Sequence, residues 1–566
     1  MHVYPCLRYD EEKDQQSSII HSIFLRMKKQ IILSFTFTFI LFISAQSQVA
    51  WNRVWDYRYG GTAWDVLMSG IQAPHHGYLL GGKSLSDSSG NRLSPSPRIN
   101  FWHYWIVRID SLGQRVWERA LGGTGDDNLA SMVATSDGGF LIGGSSDSPI
   151  SGNKTQNTRG GMDYWIVKLD SLGNIQWDKD FGGSMDDELH SVQQTMDGGY
   201  LLGGNSRSGI SGDKTQAHWG VGDFWIIKTN SLGVKQWDRV YGGTGYERLV
   251  SAKETTDGGY FISGQSGSPV SGDKTQPVQG MIDYWTVKTD SAGLVLWDKD
   301  FGSDGNDMLL TSEITHDNGY ILGGHTNGDI SGDKTDANKG WEDYWVVKID
   351  SMGIMQWNRD YGTTDNEDEF SSIYQTPDRG YLLGVTTYND TANGDQTDAN
   401  MGLEQSWVIK IDSLGDRLWD KTIFNPGHDE ATYVYPTINS CYVILGLDNG
   451  PAVGGYNSSL GYDLLGDYWV LKVCPGEILS DGSESYSGND LLVFPNPLGN
   501  ELNIQLSPEF STSPQVIVRI VDECGKIIMS ETMQSETQLL TSHLSPGFYL
   551  LELISDNRHI IRKLIK

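Results

Sequence analysis

The sequence predicts an all-β fold, a seven-bladed β-propeller of four-stranded blades followed by a small C-terminal β-sandwich, and three periodic series predict it. An aromatic or small residue followed by tryptophan recurs at Tyr104-Trp105, Tyr164-Trp165, Phe224-Trp225, Tyr284-Trp285, Tyr344-Trp345, Ser406-Trp407 and Tyr468-Trp469, spaced by 60 residues and finally by 62. A second tryptophan series, Trp55, Trp117, Trp177, Trp237, Trp297, Trp357 and Trp419, keeps the same period, as does Tyr78, Phe140, Tyr200, Tyr260, Tyr320, Tyr381 and Tyr442. Each series has seven members, which makes a repeat array the first hypothesis to test. The 68 glycines and 19 tryptophans of the 566-residue chain agree with it, since glycine serves tight turns and tryptophan needs large apolar surfaces to bury against.

One unit, residues 186–240, reads as four strands. Glu188 to Thr195 comes first, and Asp197-Gly198-Gly199 turns the chain, glycine tolerating positive φ. Tyr200 to Gly204 returns, and a loop containing Ile210-Ser211-Gly212-Asp213-Lys214-Thr215 leads to Asp223 to Thr229. Asn230-Ser231-Leu232-Gly233 then turns into Lys235 to Tyr241. Four short antiparallel strands per unit suit a propeller blade better than a solenoid coil, whose strands run parallel. With Gly-Gly after a β-run and a fixed tryptophan per blade, residues 49–473 resemble kelch and quinoprotein-like propellers, a likeness of architecture only.

The chain enters the array at Trp55, a fourth-strand marker, and leaves it at Trp469, a third-strand marker. The strand around Arg53 to Arg58 is therefore expected to complete the last blade beside Tyr468 to Val473, which would leave no open sheet edge. The tryptophans are expected to fill the interfaces between blades.

Upstream, Met27-Lys28-Lys29, an apolar run from Ile31 to Ile43, and Ala45 and Ser47 before Gln48 have the order of a secretory signal peptide, residues 27–47. The apolar run is shorter than a bilayer-spanning helix needs, so no transmembrane segment is expected in the mature chain. Residues 1–26 are charged and precede this signal, and are expected to be an extension upstream of the native start at Met27.

Cys441 and Cys474 fall in the last repeat, where a cross-strand disulfide and a pair of free thiols are both open readings; export would permit the bond.

Residues 474–490 turn rich in Gly, Ser and acid and read as a linker. Beyond them the 60-residue register stops, and apolar residues alternate with period two through Leu502, Ile504, Leu506 and Val516, Val518, Ile520, the pattern of a small β-sandwich over residues 491–566. Phe494-Pro495-Asn496-Pro497, the Gly525-Lys526 turn, the Leu544-x-x-Gly547-x-Tyr549 strand and the basic end at Lys563 and Lys566 together resemble the type A sorting domain of type IX secretion cargo. Cys524, just before the turn, departs from that pattern. The resemblance implies the type IX secretion machinery as partner, an extracellular or cell-surface destination, and surface lipopolysaccharide as an anchor.

The formal charge of -30 argues against nucleic acid, whose binding needs clustered Lys and Arg. No His-Glu-x-x-His, Gly-x-Ser-x-Gly, phosphate loop or Cys-x-x-Cys occurs. His75-His76 and His428-Asp429-Glu430 come nearest to a reactive cluster and read as solvated loops. A carboxylate stands ten residues after every fourth-strand tryptophan, at Asp65, Asp127, Asp187, Glu247, Asp307, Glu367 and Asp429. Such a ring could line a channel mouth and hold a cation, calcium being the candidate, or each acid could accept backbone N–H bonds from a turn. The Ser-Gly-Asp-Lys-Thr loop at 211–215, 271–275 and 331–335, with Asn153 replacing Asp in 151–155 and a remnant at 394–397, lacks the alternating acids of a calcium loop. It is either a partner surface or turn filler.

No catalytic residue and no cofactor are predicted. The expectation is a secreted or surface-displayed binding or scaffolding module with a glycan or protein ligand. The alternative is a secreted hydrolase or lyase acting on polysaccharide at the channel mouth.

Overall fold

The computed structural model describes residues 51–74, 77–364 and, with short gaps, 369–475 and 491–565. The upstream extension, the signal segment and all but the first two residues of the linker lie outside the described residues.

Among the described residues, seven four-stranded sheets follow one another along the propeller region. In the third, Asp187–Gln194, Tyr200–Ser206, Asp223–Thr229 and Lys235–Tyr241 lie side by side in chain order, antiparallel at each step. Local chemistry sets both hairpins. In the first turn Asp197 accepts bonds from the Thr195 hydroxyl at 2.6 Å and the Gly199 N–H at 2.9 Å, while Gly198 takes φ +79°. Asn318 and Arg379 hold the same turn position in later repeats at φ +61° and +67°, a conformation glycine adopts at less cost. In the second turn the Asn230 side chain accepts from Leu232 N and Val234 N at 3.0 and 2.9 Å. Each described first strand carries a bulge, as between Leu189 and Ser191, which adds twist to the sheet.

The first strands of successive blades, Asp65–Gln72, Asp127–Ala134, Asp187–Gln194, Glu247–Glu254, Asp307–Ile314, Glu369–Gln375 and Asp429–Pro436, touch one another in turn, and the last touches the first. They are therefore the innermost strands of a closed ring. The seventh sheet runs Trp51–Tyr59, Asp467–Pro475, Tyr442–Asp448, Asp429–Pro436, so the N-terminal strand sits beside the last strand of the array. Polar contacts lock that seam. Buried Arg58 pairs with Asp448 and donates to the Gly450 carbonyl at 2.8 Å, and Asp56 accepts from Ser458 N and Oγ at 2.7 and 2.6 Å. Tyr442 lies opposite Val473, which brings Cys441 and Cys474 together across the hairpin, and a disulfide joins them.

The third-strand tryptophans are buried at the blade boundaries, and all but Trp469, whose counterpart in the preceding blade is Ser406, meet an aromatic residue of that blade. Tyr104 meets Trp165 at 4.8 Å between ring centres, Tyr164 meets Trp225 at 4.9 Å, Phe224 meets Trp285 at 5.1 Å and Tyr284 meets Trp345 at 5.0 Å. Tyr468 meets Trp105 at 4.7 Å, which carries the girdle across the seam. The tyrosine hydroxyls then donate to the backbone carbonyl of the tryptophan they touch, at 3.1 Å for Tyr104 and 3.0 Å for Tyr468. Fourth-strand tryptophans meet the second-strand aromatic of the following blade edge-on, as Trp177 does Tyr200 at 5.8 Å.

Residues 491–565 form two further sheets, one of Leu491–Phe494, Glu501–Leu506 and Glu536–Leu540, the other of Ile527–Met533, Val516–Asp522, Phe548–Ser555 and Arg558–Ile565. Leu502, Ile504 and Leu539 from the first sheet share a core with Val518, Ile520, Tyr549 and Leu551 from the second, which makes this region a β-sandwich.

Replacing Trp225 by Ala should lower unfolding stability by about 3–5 kcal/mol, whereas Tyr164→Phe, which removes one buried donor, should cost roughly 0.5–1.5 kcal/mol; urea unfolding measures both. Loss of the Cys441–Cys474 bond in Cys441→Ser/Cys474→Ser should cost about 2–4 kcal/mol, and the wild-type protein treated with reductant should match it.

Candidate functional site

Because strands alternate in direction, the starts of first and third strands and the ends of second and fourth strands lie on one face of the ring, as the pairings Asp187 with Ser206 and Ser206 with Asp223 show. The repeated carboxylates that are described and the Ser-Gly-Asp-Lys-Thr loops belong to this face.

Where they are described, the repeated carboxylates stand at the start of the innermost strands but are buried and do not line an opening. Asp65, Asp127, Asp187, Glu247 and Asp307 are all fully buried. Each accepts the N–H of a residue four positions earlier, in the turn that leaves the preceding blade: Gly61 to Asp65 at 2.7 Å, Gly123 to Asp127 at 2.8 Å, Gly183 to Asp187 at 2.6 Å, Gly243 to Glu247 at 3.1 Å and Ser303 to Asp307 at 2.6 Å. Serine hydroxyls complete the set, with Ser86 donating to Asp65 at 2.8 Å, Ser208 to Asp187 at 2.9 Å and Ser266 to Glu247 at 2.7 Å. These acids therefore clip the blade-to-blade turn. Burial raises the pKa of Asp65, Asp187 and Asp307 and pushes Asp127 up to about 6, with the hydroxyl and amide donors opposing it. Glu367 and the side chain of Asp429 lie outside the described residues, as do His75, His76 and His428. Among the described residues no cluster of three or more His, Cys, Asp or Glu is arranged to hold a metal ion.

The Ser-Gly-Asp-Lys-Thr loop is also absorbed by the scaffold. Its lysine is buried: Lys154 pairs with Asp180, Lys274 with Asp300 and Lys334 with Asp360, while Lys214 donates to Ser206 Oγ at 2.7 Å. The following threonine caps a fourth-strand acid, Thr215 N donating to Asp238 at 2.9 Å, and that acid also accepts from Trp225 Nε1 at 3.1 Å. Asp213, Asp273, Asp333 and Asp395 take a latch from the preceding blade: Arg159 reaches Asp213 at 3.0 Å, Trp219 Nε1 donates to Asp273 at 3.0 Å, Gln279 donates to Asp333, and Lys339 reaches Asp395 at 3.0 Å.

A second buried acid series, at the start of the third strands, was not singled out in the sequence: Asp163, Asp223, Asp283 and Asp343. Its signal was available, since each directly precedes a Tyr/Phe-Trp marker. Burial pushes Asp223 and Asp283 up to about 6, and burial with the neighbouring Asp180 carboxylate raises Asp163 well above the usual range. Blade 1 departs from this scheme. Arg92 replaces the lysine, His103 the acid, and Ala120 the Asp180-type partner; Arg92 lies 2.6 Å from His103 Nε2, and burial with that guanidinium lowers the His103 pKa to about 3. Asn153 stands where the next loop would offer a latch acid. At that boundary a cleft of about 630 Å³ opens between Leu93, Pro95, Pro97, Trp117, Ala120 and Asn153.

One repeat position on this face carries exposed apolar side chains in several blades. Two residues before each third strand stand Phe101, Gly161, Val221, Met281, Trp341, Leu403 and Leu465. Leu403 lies outside the described residues. Val221, Met281 and Trp341 are 68, 71 and 70% exposed. Backbone bonds hold this segment beside the next blade's innermost strand: Val221 N donates to Gly245 O at 3.0 Å, and Glu247 N donates to Gly222 O at 3.0 Å. Trp64 and Tyr246, each one residue before an innermost strand, are exposed too. The result is a rim of exposed apolar and aromatic side chains along part of this face, at Trp64, Val221, Tyr246, Met281 and Trp341.

Residues 492–566 match the family model of the secretion system C-terminal sorting domain. Of the motif carrying that likeness, Tyr549 is buried in the sandwich core and Lys563 belongs to the last strand; Pro495, Asn496, Pro497, Gly525, Lys526, Gly547 and Lys566 lie outside the described residues. A regulatory protein FlaEY of Caulobacter vibrioides is 24% identical over 166 residues, 28% of this chain and 17% of its own length. The chain thus spans under a fifth of that relative. Similar solved structures include a protein of unknown function from Dyadobacter fermentans (10% identity, 75% of this chain and 99% of that one, TM-score 0.35). An ulvan lyase of a new polysaccharide lyase family matches at 10% identity over 72% of this chain and 96% of that one, TM-score 0.40. An apocarotenoid oxygenase of Synechocystis matches at 10% identity over 67% and 96%, TM-score 0.31. Among the described residues no helix is long and apolar enough to cross a membrane.

The raised Asp127 pKa fixes a pH dependence. The folded state holds a proton that the unfolded chain has released above its ordinary carboxylate value of 3.8, so stability from this group is full below that value and declines as pH rises through about 6. Asp127→Asn should remove a component on the order of 2–3 kcal/mol from the difference between urea midpoints at pH 4 and pH 7.5; an unchanged pH slope would refute the assignment.

Proposed function

We propose that this chain, a type IX secretion cargo carried to the extracellular space or the cell surface by its C-terminal sorting domain, works there as a non-catalytic binding propeller. In this reading the signal segment 27–47 takes it across the inner membrane, the linker 474–490 separates it from the sorting domain, and lipopolysaccharide serves as the anchor of the released ring at 49–473.

One observation carries the reading. At a repeat position more than two-thirds exposed in blades 3, 4 and 5, where solvation favours polar residues, the chain keeps Val221, Met281 and Trp341. The repeated buried acids and lysines of the same face hold blades together, which favours this rim as the surface available to a glycan or protein ligand.

Purified protein carrying Val221→Ser/Met281→Ser/Trp341→Ser should keep its thermal midpoint, since exposed substitutions change stability by no more than about 0.5 kcal/mol. It should bind at least about tenfold more weakly to whichever members of an oligosaccharide and polypeptide panel the wild type holds. Unchanged affinity across the panel, or turnover of a panel member, would count against the proposal.

A further inference from the structure

Two rim aromatics of blade 1 are capped by cations of their own chain. The Arg98 guanidinium lies 3.9 Å from the centre of the Phe101 ring, and Lys83 Nζ lies 4.8 Å from that of Trp102. Trp341 occupies in blade 5 the repeat position of Phe101, with a larger and more electron-rich ring, and no cation lies over it among the described residues. The residue three before the ring, Arg98 in blade 1, is Asn338 in blade 5, and its side chain turns inward to accept from buried Lys334 at 2.5 Å and donate to the Thr326 carbonyl at 3.3 Å. The other lysine of that loop, Lys339, is held by Asp360 and Asp395 at 3.1 and 3.0 Å. Blade 5 therefore presents a bare indole, 70% exposed, on a face where carboxylates at Asp304 and Asp329 are open to solvent, in a chain of net charge -30.

We propose that the blade 5 rim at Trp341 takes up an arginine or lysine side chain from a basic polypeptide segment, the partner cation supplying from outside what Arg98 supplies within blade 1. This rests on the reading of the rim as the binding surface and adds the class of its partner. An anionic segment is repelled by the same carboxylates, and a neutral sugar gains nothing from them.

The test uses the full chain and three probes: a peptide alternating arginine and serine, its counterpart alternating glutamate and serine, and the neutral oligosaccharide maltohexaose, each followed by calorimetry. The arginine peptide should bind the wild type and lose affinity as salt rises. Trp341→Ala should weaken it about tenfold, Trp341→Arg further, and Trp341→Phe should retain most of the affinity. Arginine-peptide binding indifferent to Trp341→Ala overturns the inference. Maltohexaose binding that is lost in Trp341→Ala, with no arginine-peptide binding, overturns the basic partner while keeping the rim as binding surface. Absence of a Trp341-dependent titration with all three probes overturns this partner class, and the triple-serine variant then decides the rim reading separately.

Discussion

Everything in the propeller depends on one shared sheet, in which the strand Trp51–Tyr59 lies beside Asp467–Pro475. Without it the array would end in two unpaired edges, each a row of backbone donors and acceptors open to solvent. With it the aromatic girdle crosses the seam, interrupted only where Ser406 replaces the aromatic residue: Tyr468 of the last blade packs on Trp105 of the first as Tyr104 packs on Trp165. The seam is also reinforced, since the buried Arg58–Asp448 pair spans it and the disulfide braces the same strand from its other side. A buried ion pair between distant parts of the chain stabilises less than its geometry suggests, yet it penalises any register but one. Chain termini need that specificity more than they need extra stability.

Given a closed ring, the repeated polar residues have a common task. A propeller blade ends in a turn that must leave one sheet and start the next, and such a turn strands backbone N–H groups at the buried blade boundary. The Asp65-type acids accept one of those N–H bonds each, and the Thr215-type residues and their Asp238-type partners close the outer side. The energetic consequence is a set of carboxyls whose charge is costly where they sit, which is why burial raises Asp127 and Asp283 to about 6. The clip is thus paid for by pH sensitivity.

The period, the strand count per blade, the closing strand and the sandwich were legible because they rest on spacing alone, which a backbone with fixed rise per residue converts directly into position. Side-chain direction was not. The place of Asp65 at the head of an innermost strand follows from the repeat, but whether it faces the opening or the blade depends on its partners. Those partners, Ser84 and Ser86, come from 19 and 21 residues further on. Ser146 and Ser148 repeat the spacing for Asp127, so the information was present as a correlation between two strands, invisible within either. The loop lysine misleads for the same reason: a lysine between Asp and Thr in a polar loop reads as solvated, and only the fold reveals Asp180 behind it.

A repeat protein carries its own control, because seven copies of one structural problem are solved on the same scaffold. Where a residue is kept and buried, as with Trp165 or Asp187, packing accounts for it. Where it varies and is exposed, as at Arg98 and His218, drift accounts for it. The informative case is the third: one repeat position keeps Val221, Met281 and Trp341 in three successive blades, apolar side chains more than two-thirds exposed. Packing cannot maintain that character at 70% exposure, and drift would have replaced it with polar residues as it did elsewhere on the face. The proposed binding role would supply that cause as a contact outside the chain, made where the exposed side chains of blades 3 to 5 stand.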